Sequence, residues 1–140
     1  MRRALAVLAA SVLISSTASL IPAGAAAAAP AGLTVNARLV LRNAGGASVT
    51  VAGTYSCGPF TGGVPDRGVV DLSVTQSAVV GYGYLEPTVC DGSARWFAVE
   101  VTSVGERFRR GPAQWSASGY VEGDGGMQHG YVPPTPIRIR

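Results

Sequence analysis

Cys57 and Cys90 are the only cysteines in the chain, and each stands at the border of a segment in which apolar and polar residues alternate. No other feature narrows the fold as much. A period of two places successive side chains on opposite faces, which is the pattern of a half-buried strand. A cystine between two such segments would tie strands or strand ends together. The stretch it closes opens with Gly53-Thr-Tyr-Ser-Cys57 and ends with Val89-Cys-Asp-Gly-Ser-Ala-Arg-Trp96. Loop-closure entropy over 33 positions is worth about 3.5–4 kcal/mol. That is a large share for a domain whose entire stability is ~5–15 kcal/mol.

Whether the pair oxidises depends on the compartment, and the N-terminus addresses that. Met1-Arg-Arg is followed by an apolar run from Ala4 to Leu20 and by small residues from Ala23 to Ala29. A basic start, an apolar middle and an Ala-rich cleavage zone make a secretory signal peptide over residues 1–29, cut between 26 and 31. The serines and threonine inside the run argue against a membrane anchor. Beyond Pro30 no apolar run approaches the roughly 20 residues needed to cross a bilayer. The expected product is a secreted, extracellular protein with a single domain over residues 30–140. Its length of about 110 residues suffices for one core.

Charge supports no nucleic-acid reading. The formal charge of +3 sets 11 basic residues, all arginine, against 8 acidic ones. Arg2 and Arg3 belong to the leader, and without them the balance falls to +1. A mature chain that close to neutral lacks the basic footprint of a nucleic-acid binder.

In chain order, Leu33 to Arg42 alternates, with Leu33, Val35, Ala37, Leu39 and Leu41 on the face expected to be buried. Asn43-Ala-Gly-Gly46 is turn material, and Val49, Val51, Tyr55 and Cys57 share a face of the next strand. Gly58 to Gly68 reads as a loop. Val70, Leu72 and Val74 point inward on a third strand. Val79 to Leu85 carries two interior glycines, which predicts a short strand or an irregular edge. Asp91-Gly92 is a turn, and the following strand joins Phe97, Val99 and Val101 on one face with Trp96 and Ala98 on the other. Phe108 lies in an arginine-bearing loop, where it is expected to plug an end of the core. Ala113 to Val121 is a further strand. The last one is expected near Tyr131 and again at Ile137 to Arg140, confined to an edge by Pro133, Pro134 and Pro136. About six to eight short strands and no helical period predict an all-β, immunoglobulin-like antiparallel sandwich with one disulfide. A small closed barrel is the second reading.

Few residues offer chemistry. His129 is the lone histidine, and as a general base it would need a nucleophile and an orienting carboxylate brought to it. Cys57, Cys90 and His129 make too small a set for a metal site, and no cofactor or phosphate-loop motif is present. The expected class is non-enzymatic, with no cofactor and no metal. Tyr82 and Tyr84 share one face of a strand, where rings can stack on sugars or anchor a protein. Arg107, Arg109 and Arg110 flank Phe108 and could meet an anionic cell-wall polymer or a phospholipid. The simpler readings are tyrosines capping a sheet edge and a solvated basic loop.

Val-x-Val-x-Gly-Thr-Tyr-x-Cys (Val49 to Cys57), Val-Cys-Asp-Gly (Val89 to Gly92), Trp96 and Phe-x-x-Gly-x-Ala (Phe108 to Ala113) together resemble a family of small secreted actinobacterial domains without assigned function. The resemblance spans most of the mature chain and implies a β-rich, immunoglobulin-like exported domain with a single disulfide. It implies no catalytic residues. The subtilisin-inhibitor family and the enediyne-binding apoproteins are similar in length, but their patterns carry two bridges where this chain has one pair of cysteines. The sequence therefore predicts a secreted, monomeric binding or envelope-associated module whose partner is an extracellular protein or a cell-wall polymer. The alternative is a protease inhibitor presenting the 58–67 loop.

Overall fold

The computed structural model describes residues 32–140, and the segment expected to be a signal peptide with its cleavage zone lies outside them. Seven strands follow one another: β1 (Thr34–Arg42), β2 (Ser48–Ser56), β3 (Arg67–Gln76), β4 (Val79–Leu85), β5 (Arg95–Val104), β6 (Gly111–Gly123) and β7 (Gly126–Ile139). They join in the order β1-β2-β5-β4-β3-β6-β7 and close into a barrel. The fold is all-β, as the alternation requires, and Cys57 and Cys90 are bridged with their Cα atoms 4.6 Å apart. No helix among the described residues is long and apolar enough to cross a membrane.

The closed barrel replaces the expected two-sheet sandwich. Its order sets two groups of strands edge to edge, a sheet of β1-β2-β5-β4 and a sheet of β3-β6-β7. Two contacts turn those sheets into one. The β3–β4 hairpin pairs along its whole length, from Val70↔Leu85 to Gln76↔Val79. On the other side β1 meets β7 in parallel at Val40↔Ile139, with Arg140 N–H donating to Val40 O and Arg42 N–H to Arg140 O.

This order requires two crossovers, one at each mouth of the barrel. Residues 57–66 carry the chain from β2 to β3 at the disulfide end, and residues 105–110 carry it from β5 to β6 at the opposite end. Each crossover drops a phenylalanine into the mouth it spans. Phe108 is fully buried, as the sequence predicts, and Phe60 is nearly so. Each ring rests on a glycine because a side chain there would occupy its space. A Cβ on Gly81 would lie 2.8 Å from Phe108 Cζ, and one on Gly123 would lie 2.6 Å from Phe60 Cγ. The glycines of β4 therefore admit close packing, and β4 is an interior strand paired to both β3 and β5 rather than an edge.

Two further details differ from the sequence reading. The β1–β2 register slips between Ala37 and Leu39, so Arg38 is an extra residue. A bulge of one residue swaps the faces beyond it. Val40 is thus wholly buried while Leu41, expected inside, is 43% exposed. The final strand is continuous from Gly126 to Ile139, with a register shift opposite Ser116 that absorbs Pro133 and Pro134. Pro133, Pro134 and Pro136 cannot donate to a second ladder, and on its β1 side β7 keeps the single backbone pair at Ile139. At the disulfide end of this seam the Gln128 amide accepts from Gly58 N–H at 2.8 Å and donates to Gly58 O at 3.2 Å.

Candidate functional site

Tyr82 and Tyr84 point outward from β4 by the same alternation that buries Val79 and Leu85. Because β4 is an interior strand, the two rings stand on a broad face and do not cap an edge. The ladder then fixes their neighbours. Tyr84 faces Asp71, Asp71 faces Ser118, and Ser118 faces Tyr131, so one row crosses β4, β3, β6 and β7. Three strand spacings separate the two tyrosines of this row, about 14 Å. In the next row Tyr82 faces Ser73 and Ser73 faces Ser116, with the two serine hydroxyls 2.7 Å apart. Tyr82, Tyr84 and Tyr131 are 54%, 67% and 73% exposed.

The result is a shallow groove of about 300 Å³ with Tyr82 on one bank and Tyr131 and Pro134 on the other. Its floor is small and polar: Asp71, Ser73, Ser116 and Ser118. Rings on the banks supply apolar faces, while a carboxylate and hydroxyls between them offer hydrogen-bond acceptors and donors. That chemistry suits a ligand with apolar faces and hydroxylated edges. Tyr131 is the member that the sequence reading missed. Its strand carries three prolines, which obscure the alternation that aims the ring outward.

Arg107, Arg109 and Arg110 line a second hollow of about 390 Å³ beside Phe108, closed by Gln76, Ser77, Ala78, Val79, Glu106 and Pro112. Their loop is held at three points. Phe108 N–H donates to Gly46 O, and Arg42 Nε donates to Phe108 O at 2.8 Å. The Gln76 side chain accepts from Arg109 N–H and donates to Arg109 O, both at 2.8 Å. The arginine side chains themselves remain exposed. Among the described residues the ion pairs are Arg67–Glu122 and Arg95–Asp91, both at the disulfide end.

Other sequence candidates lie apart from this face or add little to it. Within the 58–67 loop, Phe60 is buried, Phe60 N–H donates to Cys90 O and Cys90 N–H donates to Gly63 O. Arg67 is the first residue of β3 and its Nε lies 2.6 Å from Glu122 Oε2, which raises the guanidinium's pKa. Val64 is the apolar side chain that projects from the loop. His129 stands on the outer face of β7 opposite Tyr120, the rings 6.5 Å apart. No cluster of three metal-ligating side chains occurs among the described residues. Comparison of the chain with protein-family models, curated proteins and solved structures returns no match.

Proposed function

We propose that this chain is a secreted, non-enzymatic binding module of immunoglobulin-like strand order, and that its ligand is a linear glycan gripped on the β4-β3-β6-β7 face. The observation that carries the reading is the row Tyr84–Asp71–Ser118–Tyr131, in which two exposed rings flank a carboxylate and a hydroxyl. A pyranose presents C–H groups on its faces and hydroxyls on its rim. Rings about 14 Å apart with polar groups between them match a short run of such units. The leader and the disulfide support an extracellular setting. Protease inhibition has weaker support, because the 58–67 loop buries its aromatic residue and ties its arginine to Glu122.

The test is affinity electrophoresis of the exported protein through gels containing soluble polysaccharides. One or more polymers should retard the native protein. Tyr84→Ala and Tyr131→Ala should each weaken that retardation by about tenfold, the effect of removing an aromatic anchor. Trp96→Ala, an exposed ring on β5 outside the four strands of this face, should leave it unchanged. Equal loss in all three variants, or in none, would refute the assignment of this face.

A further inference from the structure

The tyrosine groove and the arginine hollow lie on the same three strands. The outward residues of β3 run Asp71, Ser73, Thr75 and then reach Gln76 and Ser77 at the hollow. Those of β6 run Ser118, Ser116, Gln114 and then Pro112, also at the hollow. Thr75 faces both Val80 and Gln114, and Gln114 faces Pro136, so a third cross-strand row fills the interval between groove and hollow. From Asp71 to Gln76 the lane is about 17 Å long. At its far end Arg107, Arg109 and Arg110 stand without carboxylate partners among the described residues, on a loop pinned through Phe108 and Gln76. Glu106 is the one acidic residue on that rim.

We infer that the glycan is anionic, and that it runs along this lane and places a tetrahedral oxyanion, a phosphate or sulfate ester, in the arginine hollow. The inference rests on the glycan reading above and specifies its substrate class. Guanidinium groups are planar forks of donors that bind oxyanions through paired hydrogen bonds. Three of them around one hollow offer donors from several directions, which a tetrahedral ester accepts more fully than a planar carboxylate. A polymer fits better than a bilayer surface because Phe108, the loop's only ring, is buried and cannot insert into lipid.

The experiment measures binding of the exported protein to dextran, dextran sulfate, polygalacturonate and phosphatidylglycerol vesicles. Dextran sulfate should bind at least about tenfold more tightly than dextran, from two or three exposed charge contacts. The advantage should vanish in molar salt. The double variant Arg109→Ala/Arg110→Ala should bind dextran sulfate no better than dextran while keeping the native melting temperature, since both side chains are exposed. No advantage for dextran sulfate, or an advantage that survives the double variant, overturns the inference and leaves the tyrosine face to stand on its own test. Polygalacturonate binding as tightly as dextran sulfate overturns the tetrahedral assignment. Arginine-dependent binding to vesicles that exceeds binding to dextran sulfate replaces the polymer with a lipid surface. Dextran sulfate binding that needs the arginines but ignores Tyr84→Ala and Tyr131→Ala overturns the shared lane and assigns the anion to the hollow alone.

Discussion

Phe108 and Phe60 each fill a barrel mouth from a crossover and each lean on a glycine, so their contributions can be tested by the same pair of changes. Phe108→Ala should cost about 3–5 kcal/mol in urea unfolding, the range for emptying a fully buried aromatic site. Gly81→Ala should be destabilising as well, because the added methyl meets both the Phe108 ring and Thr102 O. Phe108 was legible in the sequence as the apolar residue of a charged loop. Phe60 was not, since Gly58-Pro-Phe-Thr-Gly-Gly63 reads as an exposed turn until the strand order shows what it spans. At the surface, Ser93 hydroxyl and backbone N–H groups together with Arg95 hold the Asp91 carboxyl well below the usual carboxylate range, and hydrogen bonds from Thr61 lower the pKa of Asp124. A carboxylate whose folded pKa is depressed stabilises the fold above its unfolded pKa, and that stability is lost as pH falls toward the folded value. The melting temperature should therefore decline as pH drops below about 4. Asp91→Asn should lower it at neutral pH and flatten the acid decline.

Strands were easier to find than their faces. Val70, Leu72 and Val74 were expected inward and are buried. Of the residues expected to share a face, Val49 and Val51 on β2 and Phe97 and Val101 on β5 are buried, with Val99 half-buried between the latter two. In β1 the pattern was equally clear and half of it was misread, because one extra residue at Arg38 reverses the faces without disturbing the alternation on either side. Arg38 then lies over the exposed Trp96 ring, 5.8 Å from its centroid. In β4 the glycines suggested weakness, yet they mark close approach to β5 and Phe108. The misplacement mattered for the site, since an edge strand would have left Tyr82 and Tyr84 on a rim. The bridge was expected to join strands or strand ends, and it does so on one side only: Cys57 directly follows β2, whereas Cys90 lies midway in the connection from β4 to β5. Gly92 N–H donates to Cys57 O, and Tyr55 Oη accepts from Thr88 and Val89 N–H at 3.3 and 3.4 Å, so local hydrogen bonds also brace this corner. The double variant Cys57→Ser/Cys90→Ser should lose about 3.5–4 kcal/mol in chemical denaturation. An unchanged unfolding midpoint would assign the stability of this corner to those hydrogen bonds instead.

Closure of the whole sheet is the property least visible in the sequence. It depends on one backbone pair between β1 and β7 and on hairpin pairing between β3 and β4, and no local pattern distinguishes these from a split sandwich. Charge is likewise sorted only in three dimensions. Arg42, Arg107, Arg109, Arg110, Arg138 and Arg140 gather toward the Phe108 mouth, while both ion pairs lie toward the disulfide mouth. The described residues, nearly neutral in sum, are thus polarised from end to end. The parallel meeting of β1 and β7 also sends the two ends of the domain out at opposite mouths, Thr34 beside the cystine and Arg140 beside Phe108. A pull applied between those two ends runs along the strands. Such a pull works against the Val40–Ile139 seam in shear, where its hydrogen bonds must yield together rather than unzip one at a time. The cystine keeps 33 positions out of any extension that follows, roughly 110 Å of chain that cannot pay out until the bridge is reduced.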